Sequence, residues 1–461
     1  MRIPILLTGL TAIWTIPSCE TWSFAKPVDE LSIRTPGSWR AASTGNEGRI
    51  STGWLSEFGD PALTRTVNEA LAHNRNLKVA ATRLKEAKET PIIARSRMLP
   101  SAGLSGSGSL SDSMVGDDSR RSVGLNLAAA WEPDLWGRLR NIRAAAEAEE
   151  RAALEDFRGA RLSLAANTAK AWCNLISAEQ EVVLARVTLE SFEKNLRIIE
   201  RNYKGTGEGA LDIQFGRTNV SSAKRALESR QLDRNESART LELLLGRYPS
   251  GTSRNQRDLP TLSAAVPAGL PASLIDRRPD LSAARARLFA SAQRADAARK
   301  ALLPSVSITG AGGTSTTRLA DLLDLNGLVG TIATRFNQVV TEGGAVSAEA
   351  RSALARNEGL VHSYAQSALE AFREVEAALA ADRSLAKQED FLASELEQAA
   401  LAEKQAERDY SEGINPNILS VLEAQRRANN ARASMIRLRN QRLQNRIDLH
   451  LALGGDFTTT I

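Results

Sequence analysis

Two periodicities divide this chain. Between Gly137 and Tyr203, apolar residues return in alternating steps of four and three: Ala171, Leu175, Ala178, Val182, Ala185, Leu189, Phe192, Leu196, Ile199 and Tyr203. A sustained seven-residue repeat predicts a supercoiled helical seam. The stretch holds no proline and one glycine, so it predicts one helix ~100 Å long. A second seam runs through Val361, Ala365, Ala368, Phe372, Val375 and Leu379, after which Asp382 and Glu389 interrupt it. Elsewhere the period falls to two. In "SVGLNLAAAW", Val123, Leu125, Leu127, Ala129 and Trp131 take one side, and Ser122, Gly124, Asn126, Ala128 and Ala130 the other. "SVSITG" sets Val306 and Ile308 against Ser305, Ser307 and Thr309. Ser101–Ser111 sets Ala102, Leu104 and Leu110 against a row of serines. Such alternation predicts strands with one apolar and one polar face.

The order of elements is written twice. Leu99-Pro100-Ser101 and Leu303-Pro304-Ser305 stand 204 residues apart, while Gly137 and Gly344, and Tyr203 and Tyr410, are each 207 apart. The first copy predicts a helical region from about Pro61 to Met98, two strands, the long helix, a break at "KGTGEGALDI" and a helix to about Gly246. The second predicts a helix to Leu302, strands "SVSITGAGG" and "LVGTIATRF", a long helix to Tyr410, a break at "SEGINPNILSVL" and a helix to about Leu453. The shorter flanking helices, stacked end to end, would match the long one in length.

Each predicted strand has about the 9–11 residues that cross a bilayer at a tilt, apolar outside and polar inside. Four strands cannot close a membrane barrel, since the smallest have about eight. Closure therefore needs further copies, and a passage wide enough for solutes favours twelve strands over eight.

Composition narrows the picture. The 461 residues are 42% hydrophobic and 25% charged with only 5% aromatics, rich in Ala, Leu, Glu, Arg and Lys, as long helices are. Net charge is +5, but bases alternate with acids along the helices, which predicts solvated faces rather than a patch. After the N-terminal segment no run reaches the 18 apolar residues of a membrane helix. That segment reads as a signal: Met1-Arg2, an apolar run from Ile3 to Ile16, then "IPSC". Cys19 at the cut resembles a bacterial lipoprotein site, with Pro17 a departure from the usual lipobox; the alternative is an ordinary secretory signal cut nearby. Either route exports the chain, and Glu20 permits transfer to an outer membrane. Cys173, mid-helix in "AKAWCNLI", reads as a small packed apolar residue.

No catalytic constellation is present in the sequence. His73, His362 and His450 lie far apart without metal-ligand spacing. "GTGEG" at 205–209 follows a helix rather than a strand and lacks the Lys-Ser/Thr pair of a phosphate loop, so it reads as a hairpin turn.

Nearly the whole chain, from "GWLSEFGDPALTRTVNEALAHNRNL" to "LHLALGGDF", resembles the TolC/OprM-like outer-membrane efflux channels, in particular the lipoprotein subgroup that serves resistance-nodulation-division pumps. The most specific stretch is "GLPASLIDRRPDLSAARARLFASAQRADAARKALLPSVSITGAGG", Gly269 to Gly313. "WEPDLWGRLR" and "VTEGG" resemble the family's turns below the strands, and "YKGTGEGALDIQ" and "YSEGINPNILSVLEAQ" its two hairpin tips.

The resemblance implies a mainly α chain with a membrane β-barrel. It implies a homotrimer whose four strands per chain form a shared 12-stranded barrel and whose helices form a trimeric α-barrel. Its partners would be a periplasmic adaptor, an inner-membrane resistance-nodulation-division transporter and outer-membrane lipid, with no nucleic acid and no cofactor. Domains follow as 1–18 signal peptide, 19–60 lipid-anchored segment, 61–250 first repeat, 251–271 linker and 272–456 second repeat. The function implied is a passive exit duct for drugs, toxic compounds or metal ions, not an enzyme. Two other readings are a protein-secretion duct serving an ATP-driven exporter and a coiled-coil tether without a pore.

By motif, Asp212 falls where the family's first tip carries a carboxylate, and Tyr410 where the second tip carries a linking tyrosine, with Tyr203 its counterpart. Glu423 occupies one of two acidic positions that ring the constriction. Ser420 occupies the other, where aspartate is common, and Asn415 lies near a position that can be basic. These departures predict a tip held more weakly than by the usual ionic latch, or held by different pairs. On the residues alone Asp212 reads equally as a helix N-cap, the tyrosines as seam packing and Glu423 as a solvated acid. Gly205, Gly207 and Gly413 are the candidate adaptor-contact turns.

Overall fold

The computed structural model describes residues 37–41, 53–111, 120–206, 210–255, 257–262, 271–324, 328–339, 341–412, 414 and 417–455. Cys19, Gly207, Gly413 and Asn415 lie outside them.

The doubling seen in sequence is a doubling of structure. Each half runs helix, strand, strand, long helix, helix. The first has α1 (Pro61–His73), α2 (Arg75–Ser96), β1 (Ser101–Ser111), β2 (Arg120–Trp131), α3 (Arg138–Thr206) and α4 (Ala210–Leu244). The second has α5 (Leu274–Arg277), α6 (Pro279–Lys300), β3 (Ser305–Thr316), β4 (Val329–Asn337), α7 (Ala345–Ser411) and α8 (Ile418–Ala452). Lengths match across the repeat: 22 residues for α2 and α6, 69 and 67 for α3 and α7, 35 for α4 and α8. At 1.5 Å per residue the long helices span ~100 Å. Gly137 and Gly344 both take left-handed backbone, at φ 77° and 86°, which only glycine adopts without strain and which turns each chain into its long helix.

The helical region before β1 is two helices, not one. Asn74 breaks it: its side chain caps α2 by accepting from the Leu77 amide at 3.0 Å and donates to the Leu244 carbonyl at 2.9 Å. Asp60 caps α1 in the same way, with Pro61 at the first helical position.

The helices form a row whose middle members are shared. Near the strands the order is α2–α3–α6–α7; toward the far ends α4 packs on α3, α3 on α8 and α8 on α7. A waist joins the two levels. There the 3-10 helix Trp54–Phe58 and α1 lie on α3 and α8, burying Trp54, Phe58, Leu63 and Val67 against Ala165, Ala169, Cys173 and Ile447. Burial pushes the Cys173 thiol up to about 12, as expected of an inert packing thiol. His450, fully buried, stacks on Trp54 and meets a Glu57 carboxylate oxygen at 3.1 Å. The segment 37–41 is fastened nearby: Glu376 accepts from the amides of Arg40 and Ala41, both at 2.9 Å, and Trp39 packs on Phe372.

The four strands make one antiparallel sheet in the order β1-β2-β3-β4. Its register sorts the residues. Leu104 pairs with Leu127, Leu127 with Gly312, Trp131 with Ile308 and Val306 with Phe336. Paired residues share a face, so one face carries Leu104, Val123, Leu125, Leu127, Ile308, Ile332 and Phe336. The other carries the serines of β1 with Asn126, Thr309 and Thr331. The two Leu-Pro corners are pinned by indoles: Trp131 donates to the Met98 carbonyl at 3.0 Å and Trp136 to the Pro304 carbonyl at 2.6 Å. No helix among the described residues is long and apolar enough to cross a membrane.

Candidate functional site at the helical hairpin ends

The site is assembled from the bottom turns of four helices. Ile199 of α3 and Ile418 and Val421 of α8 form a buried cluster, flanked by Ile213 of α4 and Ala406 and Tyr410 of α7. These are the last apolar rungs of the heptad seams, which is why the cluster ends where the helices do. Gly216 lets α4 approach α3 here: a β-carbon at that position would stand 2.9 Å from Leu196 Cδ1 and 3.4 Å from Ile199 Cδ1.

A polar tie sits just above. Gln425 of α8 is buried and uses both ends of its amide. Its Oε1 accepts from Asn195 Nδ2 at 2.8 Å, and its Nε2 donates to Ser191 Oγ at 3.0 Å and to Glu407 Oε1 at 2.7 Å. One side chain thereby links α3, α8 and α7. Higher up, α7 and α8 are joined by ion pairs: Glu403 with Arg432, Glu389 with Arg439 and Arg442, and Asp382 with Arg446. The two acids that interrupt the apolar seam in sequence are therefore rungs of a ladder, paired with bases 50 to 64 residues away. Arginine hydrogen bonds hold the Glu389 carboxyl below its ordinary range against the opposing effect of burial. The other hairpin repeats the scheme, with acids on its first helix and bases on its second: Glu200 with Arg217, Glu193 with Lys224, Glu181 with Arg230 and Glu179 with Arg234.

The sequence-derived candidates fall around this assembly. Tyr410 packs on the cluster, whereas Tyr203, one turn beyond Ile199, is 38% exposed. Asp212 is the third residue of α4, inside the first turn rather than at the cap, where a negative charge suits the helix dipole. Glu423 is ion-paired along its own helix: Arg426 and Arg427 both bind it at 2.7 Å. Hydrogen bonds from Arg427 and then Arg426 lower its pKa. Ser420 is half-buried in the first turn of α8, which Asn417 caps by accepting from the Leu419 amide at 3.0 Å. Gly205 belongs to the last turn of α3. Asp212 and Tyr410 are not brought together within one chain, because α3 and α8 lie between α4 and α7.

Sequence reasoning missed Gln425, Asn195, Glu407 and the ladder. A signal was present: Glu193 and Glu200 are seven apart, as are Arg217 and Lys224, so equal heptad spacing on two antiparallel helices marks them as partners.

Comparison with known proteins places this arrangement. The family profile described as "Outer membrane efflux protein" matches residues 66–247 and 270–455. The pyoverdine export outer membrane protein OpmQ of Pseudomonas putida is 28% identical over 99% of this chain and 98% of its own length. The outer membrane protein OprJ of Pseudomonas aeruginosa is 30% identical over 99% of this chain and 97% of its own. The open state of the Neisseria gonorrhoeae MtrE outer membrane channel superposes with a TM-score of 0.78 at 26% identity, covering 92% of this chain and all of that one.

Proposed function

The chain belongs to the outer membrane efflux protein family, and from that premise we propose that three copies form one continuous duct, sealed at its hairpin tips until an adaptor opens it. The chain is an outer-membrane exit duct of an efflux system.

One observation carries the trimeric reading. The sheet is apolar on one face and polar on the other, yet both of its edge strands, β1 and β4, have one side unpaired among the described residues. Unpaired strand edges are not tolerated in a bilayer. Twelve strands from three copies close the sheet, put Leu104, Leu127 and Ile332 toward lipid and line a lumen with serine, threonine and asparagine. The same closure brings α7 of one copy beside α2 and α4 of the next. Tyr410 then faces the Asp212 end of a neighbouring copy, and tip closure becomes a contact between copies, backed by Gln425 and the ladders within each.

The duct consumes no energy. An inner-membrane resistance-nodulation-division transporter supplies it through a periplasmic adaptor that meets the tips near Gly205, Gly207 and Gly413. The cargo is small: drugs, toxic compounds or metal ions. Residues 61–250 and 272–456 are the two repeats, joined by 251–271. The segment from 19 is an anchor that starts at lipidated Cys19. Its 20 residues to Trp39 reach up to ~70 Å, more than the ~40 Å that 27 helical residues put between Ala345 and Phe372.

Planar-bilayer recording of the detergent-extracted protein tests the duct. Discrete, passive conductance steps are expected. Protein that inserts without conductance contradicts it.

A further inference from the structure

Interleaved acids and bases predict no basic patch along any single helix, but the packing of α3 on α6 builds one. A groove of about 820 Å³ lies between α3, α5, α6 and the chain after α8, where Gly454 and Gly455 form its lip. Arg151, Arg158 and Arg161 enter it from α3, and Arg277 and Arg285 from the other wall. Within the groove Glu155 pairs with Arg158 at 2.7 Å and Asp276 with Arg285 at 3.0 Å. Arg151 and Arg277 make no ion pair with a described residue. Phe289 stands 47% exposed in the groove with the Arg151 guanidinium 5.8 Å from its ring centre.

The position of the groove limits its ligand. Along α3 the residues Arg151, Glu155, Arg158 and Leu162 step by four and three into Ala165 and Ala169, the stripe on which the waist elements pack. The groove therefore opens on the decorated face of the helical row. It lies between central members of that row, away from the α2, α4 and α7 edges that further copies would cover. Arg151 and Arg161 are 13 and 23 residues into α3, so the groove sits ~20–35 Å below the sheet. Lipid headgroups at the bilayer surface do not reach that depth. A protein partner would need an apolar anchor surface, and Phe289 is the only exposed large hydrophobic residue in the lining. Guanidinium forks suit carboxylates, and the exposed part of the Phe289 ring beside them suits the C–H face of a sugar ring.

We propose that this groove binds a carboxylate-bearing glycan polymer of the periplasm, holding the duct to the cell wall at the level just above its waist. The proposal rests on the outer-membrane placement of the chain.

The test is co-sedimentation of the full-length protein in detergent with isolated, protein-free peptidoglycan sacculi. The wild type is expected to sediment, and blocking the sacculus carboxylates as amides should abolish this. Arg151→Gln with Arg277→Gln should raise the half-saturating sacculus concentration about tenfold. The control, Arg65→Gln with Arg75→Gln, removes two exposed charges from α1 and α2 and should bind as wild type. No sedimentation, equal loss in both double variants or indifference to carboxyl blocking each overturns the proposal. An acidic protein found bound at the groove instead of the glycan also overturns it. Bilayer conductance of the same preparations separates this outcome from the duct: binding lost with conductance intact sinks only the groove.

Discussion

Gly216 of α4 lies so close to Leu196 of α3 that a methyl group on the glycine would stand 2.9 Å from the leucine Cδ1. This approach closes the first hairpin at its end. Gly216→Ala crowds only the ends of two side chains, those of Leu196 and Ile199, and gains helix propensity of about 1 kcal/mol, so the two effects should nearly cancel. Gly216→Val adds two further carbons where none fit and should cost about 1–3 kcal/mol. Hydrogen exchange of α4 residues 213–220 checks this: faster in the valine variant, unchanged in the alanine one.

Gln425 is a second fastening of the tip. Gln425→Ala strips partners from Asn195, Ser191 and Glu407 at once, an expected loss of about 1–3 kcal/mol. Because the tie joins three helices, the effect should appear as faster proteolysis at residues 206–210 and 412–417 without a change in total helix content. Equal cleavage rates in wild type and variant would remove Gln425 from the account.

The Asp212 and Tyr410 contact is predicted to operate between copies. Asp212→Ala with Tyr410→Phe should loosen the closed tip and raise single-channel conductance. Unchanged conductance in the double variant sinks that assignment.

Glu242 gives a pH signature at the waist. It is buried and accepts from the amides of Gly251, Thr252 and Ser253 at 2.7, 3.0 and 2.8 Å. Burial pushes its pKa up, but the hydrogen bonds from Gly251 and Ser253 outweigh that and bring it down to about 2 from 4.5. A lowered folded-state value means stability that is fully present above the unfolded value near 4.5 and is lost as pH falls toward 2; by linkage it amounts to about 3 kcal/mol. Melting of Glu242→Gln against wild type should show a constant gap above pH 5 that narrows through pH 4 to 2. A gap independent of pH would mean the carboxylate charge is not what holds the loop.

Adjacent residues of β4 should respond oppositely to the same change. Ile332 is on the apolar face and 86% exposed within the chain, and Thr331 is on the polar face. Ile332→Arg should cost about 2–4 kcal/mol if the face meets lipid and deplete the protein from the outer-membrane fraction. Thr331→Arg should be tolerated.

What the sequence disclosed follows the range of the interactions involved. The strands were legible because alternation is a local pattern: Val123 to Trp131 reveal their faces without reference to any other segment. The repeat was legible through glycines such as Gly137 and Gly344, whose backbone only glycine adopts easily. Asn74 was passed over, although an asparagine before "RNL" is a cap signal, because apolar period alone cannot distinguish one helix from two. Asp382 and Glu389 read as faults since their arginines lie on α8. The arginine groove was illegible for the same reason, as its two walls are more than a hundred residues apart. Candidate tip residues came through family resemblance, while Gln425, which ties the tip within the chain, has no motif to announce it.

The central claim, that three copies close one duct, is tested most directly by negative-stain imaging of the mature, detergent-extracted protein. The account predicts threefold particles with a short barrel joined to a hollow helical tunnel ~100 Å long. Monomers, or solid rods without a lumen, would contradict it.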